Sequence, residues 1–284
     1  MGSDPARELA ELVADARALA EDARDRGVLH EALDASPEVT EAPGAPPAGA
    51  RASTAASGAT PAPPARSTPQ TKAPAPRPAH AGWSALASSA RDAELPAPLR
   101  LERVRGELGD CRRCALARGR KQIVFGVGSP QADLVVIGEA PGYHEDQQGE
   151  PFVGPAGQML DRMLENVLGL ARSQVYILNM VKCRPPRNRN PLPEEVSSCR
   201  PFLDGQLSVI APRVMLVLGS VAFRALFDTQ QGIKRNRGRW REYRGVPTMS
   251  TFHPAYLLRQ PQDKRLTFED LQVLKRRYEE LTGG

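Results

Sequence analysis

Four cysteines, Cys111, Cys114, Cys183 and Cys199, are the residues of this 284-residue chain whose type and spacing point most directly to chemistry. They run as C-x2-C, a gap of 68 residues, then C-x15-C. A C-x2-C pair lets two thiolates reach one ion from a tight turn, and a second pair delivered by the fold completes a four-cysteine site. Structural zinc and an iron-sulfur cluster suit this spacing equally, and four unrelated reduced thiols are the plain alternative. Gly138-Glu139-Ala140-Pro141-Gly142 closes an apolar run with two glycines and a proline, shaping a turn whose backbone can approach a ligand. It is neither a Walker A loop nor a G-x-G-x-x-G fingerprint, so nucleotide-phosphate binding is not supported. In Gly149-Glu150-Pro151-Phe152-Val153-Gly154 an aromatic stands between glycines, placed to stack on a planar ligand or simply to join the core. His253 is one of four histidines and precedes Pro254 at the end of a strand-like run; alone it reads as a surface loop residue.

These residues need elements to hold them. The segments 132–138 (ADLVVIG), 175–181 (VYILNMV), 213–219 (RVMLVLG) and 246–252 (VPTMSTF) read as strands. Helical periodicity appears over 157–169, 193–210, 220–227 and about 267–281. Apolar strands separated by helices predict an α/β fold, a three-layer α/β/α sandwich with a central, mainly parallel four-stranded sheet. Ligands of such sheets bind at the carboxyl ends of the strands, where the GEAPG turn, Asn179 to Pro186 and His253 all fall.

Charge divides the chain. The net +5 splits into −6 over 1–38 (four Arg against ten acids), +3 over 39–82 (four basic residues against one acid) and +8 over the remainder. A basic folded part suggests a polyanionic partner, although charge alone is weak evidence. In the acidic part, Leu9, Leu12, Ala16, Leu19 and Ala23 lie on one face of a helix of about two heptads, too short for a coiled coil. From Thr40 to Gly82 there is no Val, Ile, Leu, Met, Phe, Tyr or Trp, so no core can form there. The expected organisation is an acidic amphipathic helical segment (1–38), a disordered Ala/Pro-rich linker (39–90) and one folded domain (91–284). Apolar runs are far short of the roughly 20 residues a spanning helix needs. The N-terminus does not resemble a secretory signal or a good lipidation site, which places the chain in the cytoplasm with reduced thiols.

Taken together, the residues from Cys111 to Arg259 resemble the family 4 uracil-DNA glycosylases, the iron-sulfur type. The motifs match in order: C-x2-C; GEAPG-x2-ED-x2-G-x-PFVG-x-AG over 138–157; N-x-VKCRPP-x-NR-x-P over 179–191 with Glu194, Glu195 and Cys199; and TFHPAYLLR over 251–259. The resemblance covers nearly all of the chain after the linker and none of the first 90 residues or so. It implies one four-iron four-sulfur cluster on Cys111, Cys114, Cys183 and Cys199. It also implies a monofunctional enzyme that flips uracil from single- or double-stranded DNA and hydrolyses its N-glycosidic bond.

The same resemblance distributes roles. Phe152 would stack on the flipped base, and Asn179 would read its edge, donating to O4 and accepting from N3–H. His253 would donate to O2 of the departing uracil anion. Glu139, beside Gly138 and Ala140 in the turn, is the candidate to orient water; family 1 relatives carry an aspartate where this chain has Ala140. Glu145 would exclude the methyl group of thymine. Lys182, Arg184, Arg187 and Arg189, with Arg235, Arg237, Arg239 and Arg259, are candidate phosphate contacts. Tyr256, Leu257 and Leu258 are candidates for the wedge that fills the space of the flipped base. The chain is expected to act as a monomer, with the N-terminal helix a candidate contact for a protein partner. The alternatives are a superfamily relative trapped covalently on DNA, a non-catalytic DNA-binding module and an electron carrier. The trapping group carries GEQPG and a KRRIH-like loop, whereas this chain has GEAPG and KRNRG.

Overall fold

The computed structural model describes residues 94–283, so the acidic segment of 1–38 and the linker of 39–90 lie outside the described residues. The chain opens with helix α1 (Ala97–Leu108), then strands β1 (Val127–Gly128) and β2 (Leu134–Gly138), helices α2 (Tyr143–Gln148) and α3 (Pro155–Met163), and strand β3 (Tyr176–Asn179). Helix α4 (Pro193–Ile210), strand β4 (Val214–Leu218), helices α5 (Ser220–Phe227) and α6 (Ile233–Asn236) and strands β5 (Trp240–Tyr243) and β6 (Val246–Thr251) follow. Helices α7 (Pro254–Arg259) and α8 (Lys264–Thr282) close the fold.

The sheet has six strands among the described residues, in the order β1-β3-β2-β4-β6-β5, where the sequence predicts four. The inner four, β3, β2, β4 and β6, are the predicted ones and run parallel; the two additional strands are antiparallel edges. The weak sequence signal of these edges has a physical cause. Strand β1 is only two residues long, and β5 reads Trp-Arg-Glu-Tyr, a charged edge with no apolar run. It joins β6 through Arg244 and Gly245, both at positive φ, the backbone a two-residue hairpin turn requires.

Every residue of β2 and β4 is buried, as a sheet covered on both faces demands. Helix α1 packs on α4, burying Leu101, Val104 and Leu108 at a spacing of three and four. Helix α3 packs on α7, and the single π-helical turn Leu164–Leu168 that prolongs α3 packs on α8. The chain leaves β2 toward β3 on one side and returns to β4 on the other. The crevice at the carboxyl end of β2 is therefore the topological switch point where such sheets bind ligands.

Candidate active site and four-cysteine centre

A cavity of about 270 Å³ opens at that switch point. It is smaller than the roughly 300–1,000 Å³ of drug-sized sites, which suits a single heterocyclic base. Glu139 and Ala140 line it from the end of β2, Phe152 from the next loop, Asn179 from the end of β3, and His253 and Tyr256 from the segment after β6. The parallel register sets Gly138 beside Asn179, so two sequence motifs 41 residues apart meet at one edge.

Glycine is required at 138 because a Cβ there would stand 2.3 Å from Asn179 Oδ1 and 2.6 Å from the Phe152 ring. Phe152 has a φ of 55°, an unusual conformation for a bulky residue, and its backbone is accommodated by Gly157, where a Cβ would meet the Phe152 carbonyl oxygen at 1.9 Å. The Phe152 ring stacks against the His253 imidazole at 5.5 Å between centroids, inclined by 27°. His253 caps α7: its Nδ1 accepts the Ala255 N–H at 3.2 Å. A neutral imidazole that accepts at Nδ1 carries its proton on Nε2, so this cap selects the donor tautomer. Gly219 lets the turn after β4 approach His253, since a Cβ there would stand 3.0 Å from the His253 Cβ. Asn179 is 2% exposed, and its Oδ1 is a buried acceptor with no hydrogen-bond partner in the protein.

Glu145 lines the cavity, but its carboxylate is turned to the loops. One oxygen accepts the Gly142 N–H at 3.0 Å, and the other accepts Val153 N–H at 3.0 Å and Gly154 N–H at 3.2 Å. It clamps the GEAPG turn to the Phe152 loop. Its neighbour Asp146, not singled out from the sequence, is buried and accepts the Lys121 and Gln122 N–H groups at 2.8 and 3.3 Å. The Glu145-Asp146 pair thus fastens the base pocket and the segment following the first cysteines to one short helix. An acidic pair at the start of α2, with both glycine-rich turns in reach, was the available signal.

The basic residues sort into two groups. Lys182 is 1% exposed and its ammonium donates to the Asn179 carbonyl at 2.9 Å, so it is not a phosphate contact. Arg189 makes two bonds to the buried Glu195 carboxylate, at 2.7 and 2.8 Å, and Arg237 makes two to buried Asp270, at 2.7 and 3.0 Å. Both guanidiniums are tied into the protein, because a buried carboxylate without a cation is costly. Asp270 also accepts from Thr251 at 2.6 Å, locking α8 to the strand that leads to His253. Arg184 donates to Asn188 at 2.7 Å and covers the Tyr143 ring. Arg187, Arg235, Arg239 and Arg259 are exposed. Leu257 is 1% exposed and belongs to the core, which removes it from the wedge candidates; Tyr256 lines the cavity, with its hydroxyl on Asp263 at 2.5 Å.

The four cysteines come together from the turn after α1 (Cys111, Cys114), the loop after β3 (Cys183) and helix α4 (Cys199). Cys183 interacts electrostatically with Cys199 and Cys114, and Cys199 with Cys111 and Cys114. Burial pushes the Cys183 thiol up to about 11 and raises Cys199 as well. Among the described residues no three His, Cys, Asp or Glu side chains close to the spacing of a single bound ion. Cations surround the set: Arg113 reaches Cys111 Sγ at 3.4 Å, Arg120 reaches Cys183 Sγ at 3.5 Å, and the Lys182 ammonium interacts with Cys199 and Cys183. Four thiols ringed by cations suit an anionic thiolate-held group, and a four-cysteine donor set is one that can hold structural zinc or an iron-sulfur cluster. The arginines that flank C-x2-C are the sequence signal for this ring of cations.

This pocket, on this sheet, places the chain in a recognisable class: it belongs to the uracil-DNA glycosylase superfamily, whose family model matches residues 125–275. Within it the chain groups with the type-4 enzymes. It is 43% identical over 164 residues to a type-4 uracil-DNA glycosylase of Archaeoglobus fulgidus, covering 55% of this chain and 82% of that protein. It is 39% identical over 179 residues to that of Thermotoga maritima, covering 62% and 93%. It is 37% identical over 183 residues to that of Sulfurisphaera tokodaii, covering 62% and 83%.

Proposed function

We propose that this chain is a monofunctional DNA-repair glycosylase that flips uracil out of DNA into the cavity and hydrolyses its N-glycosidic bond, leaving an abasic site. The observation that carries this reading is the buried, unpartnered Oδ1 of Asn179 at the wall of a base-sized cavity. An orphaned buried acceptor costs about 1–3 kcal/mol, and uracil N3–H offsets that cost where cytosine, with an acceptor at N3, cannot. The Asn179 amide would donate to O4. Phe152 stacks on the ring, helping offset the few kcal/mol of base flipping.

Bond cleavage leaves negative charge on uracil. The His253 tautomer fixed by Ala255 presents Nε2–H as donor to O2, a preorganised contact of the kind whose removal costs about 10²–10³ in kcat. Glu139 orients the water that attacks the sugar from the opposite side. Cys111, Cys114, Cys183 and Cys199 would hold one four-iron four-sulfur cluster, which organises the loop between Cys183 and Cys199 next to the pocket. Arg187, Arg235, Arg239 and Arg259 hold the DNA backbone, and Tyr256 stands where the space of the flipped base must be filled. Helices on both faces of the mainly parallel sheet would make the fold a three-layer α/β/α sandwich.

Anaerobically purified protein is mixed with a labelled single-uracil oligonucleotide, single- or double-stranded, and treated with alkali. Strand cleavage that depends on uracil and falls about a hundredfold or more in His253→Ala and Asn179→Ala is the expected result. Wild-type protein that retains its iron yet yields no cleavage would overturn the reading.

A further inference from the structure

A second hollow, of about 930 Å³, shares no lining residue with the base cavity. Its walls are the start of α5, helix α6 and the start of β5. Lys234, Arg235 and Arg239 line it with exposed side chains, and among the described residues none of the three forms an ion pair. Arg241, by contrast, is spent on the wall itself, donating to Asn236 at 2.7 Å and to Gln231 at 3.0 Å. No carboxylate lines the hollow. Cations gathered without an acid among them lack a countercharge, and a polyanion supplies one. Trp240 stands in the same wall, 36% exposed. A further hollow that Trp240 lines carries Glu242 and Glu280, whose charge opposes phosphate, so the acid-free side is the one suited to a polyanion. An exposed indole beside cations can stack on a base, but in a duplex the base faces are covered by their neighbours, so an unpaired strand is what presents a face to it.

The hollow is fastened to the strand that leads to His253. Gly238 N–H donates to the Ser250 carbonyl at 3.0 Å and Gly219 N–H to the Thr251 carbonyl at 2.9 Å, so both walls hang on the end of β6. Ser220 lines the hollow, and its neighbour Gly219 is the residue whose added Cβ would stand 3.0 Å from the His253 Cβ. The hollow and the base cavity therefore lie on either side of the Gly219–His253 contact. We infer that this hollow is a single-strand subsite, in which Trp240 stacks on an unpaired base of the DNA strand and Lys234, Arg235 and Arg239 hold its phosphates. The choice of DNA rests on the uracil-glycosylase reading, which the subsite deepens: it names the unpaired strand beside the flipped uracil as what this face receives.

The chain has two tryptophans, Trp83 and Trp240, and substitution separates their signals. A uracil-free thymidine oligonucleotide is titrated into the full-length wild type, Trp83→Phe and Trp240→Phe while tryptophan emission is followed. The same oligonucleotide and a uracil-free blunt duplex of equal length are titrated into wild type and Trp240→Ala by fluorescence anisotropy. Emission of wild type and of Trp83→Phe is expected to be quenched, and that of Trp240→Phe to be unchanged. Trp240→Ala should bind the single strand about tenfold or more weakly and the duplex within about twofold of wild type. Quenching that persists in Trp240→Phe or is absent from Trp83→Phe overturns the inference. Single-strand affinity that is unchanged in Trp240→Ala, or that falls equally with duplex affinity, overturns it too. Neither DNA contains uracil, so a wild-type protein that binds and is quenched yet releases no uracil fails the glycosylase reading alone. A protein that releases uracil but is not quenched fails this inference alone.

Discussion

Selectivity at the scale of single residues depends on what glycine leaves out. Gly138→Ala would bring a methyl group against the Asn179 amide and the edge of Phe152, both ends of side chains that can shift. The expected outcome is a folded protein, destabilised by about 1–3 kcal/mol, whose affinity for free uracil falls tenfold or more. Gly157→Ala meets the Phe152 backbone instead and cannot be relieved by a rotamer change, so its thermal midpoint should fall further than that of Gly138→Ala. Scanning calorimetry and uracil titration of the two variants check this ordering. The residue types of the site were legible in the sequence. Gly138, Phe152, Asn179 and His253 all stand at the cavity or its edge. The functions of the charged residues were less legible, because a charge in a motif looks the same whether its partner is a phosphate or a buried acid. Lys182, Arg189 and Arg237 turned inward for that reason.

Among the elements, the loop between β3 and α4 carries two cavity-lining segments and Cys183, and it is closed by Arg189 and Glu195. Glu195 also accepts the Leu192 N–H at 2.8 Å at the start of α4. The Arg189 guanidinium, through its hydrogen bonds, holds the Glu195 carboxyl below its usual value of 4.5. A depressed carboxylate stabilises the fold above its unfolded value and loses that contribution as pH falls through its folded value. The difference in urea midpoint between wild type and Glu195→Gln should therefore be full near neutral pH and shrink below about 4.5. An unchanged difference down to about pH 3 would show that the pair does not titrate as described. Helix α4 was legible from periodicity over its full extent, Pro193–Ile210, as was α5, Ser220–Phe227. Helices α1, α2, α6 and α7 were not predicted, since short or polar segments gain their helical state from packing and caps rather than from a long apolar stripe.

For the whole molecule, the positive charge of the part after residue 82 governs how it meets a polyanion. Counterion release makes the logarithm of DNA affinity fall linearly with that of salt, by about 0.7–0.9 per phosphate neutralised. Arg235→Ala and Arg239→Ala, exposed near the β5 edge, should each reduce that slope by about one phosphate's worth. Arg237→Ala should instead lower the thermal midpoint, because it strands the buried Asp270. Fluorescence anisotropy over a salt series and a melting curve separate the two behaviours. The sequence by itself determined the four parallel strands, their carboxyl-end motifs and the family resemblance, because apolar runs, glycine turns and cysteine spacing are local and periodic. Only the tertiary structure decided which acids and bases pair, that Leu257 enters the core, that Glu145 clamps two loops and that the buried Lys182 ammonium donates to the Asn179 carbonyl. Each of these depends on groups distant in sequence meeting in space, where burial fixes which partner a charge must take.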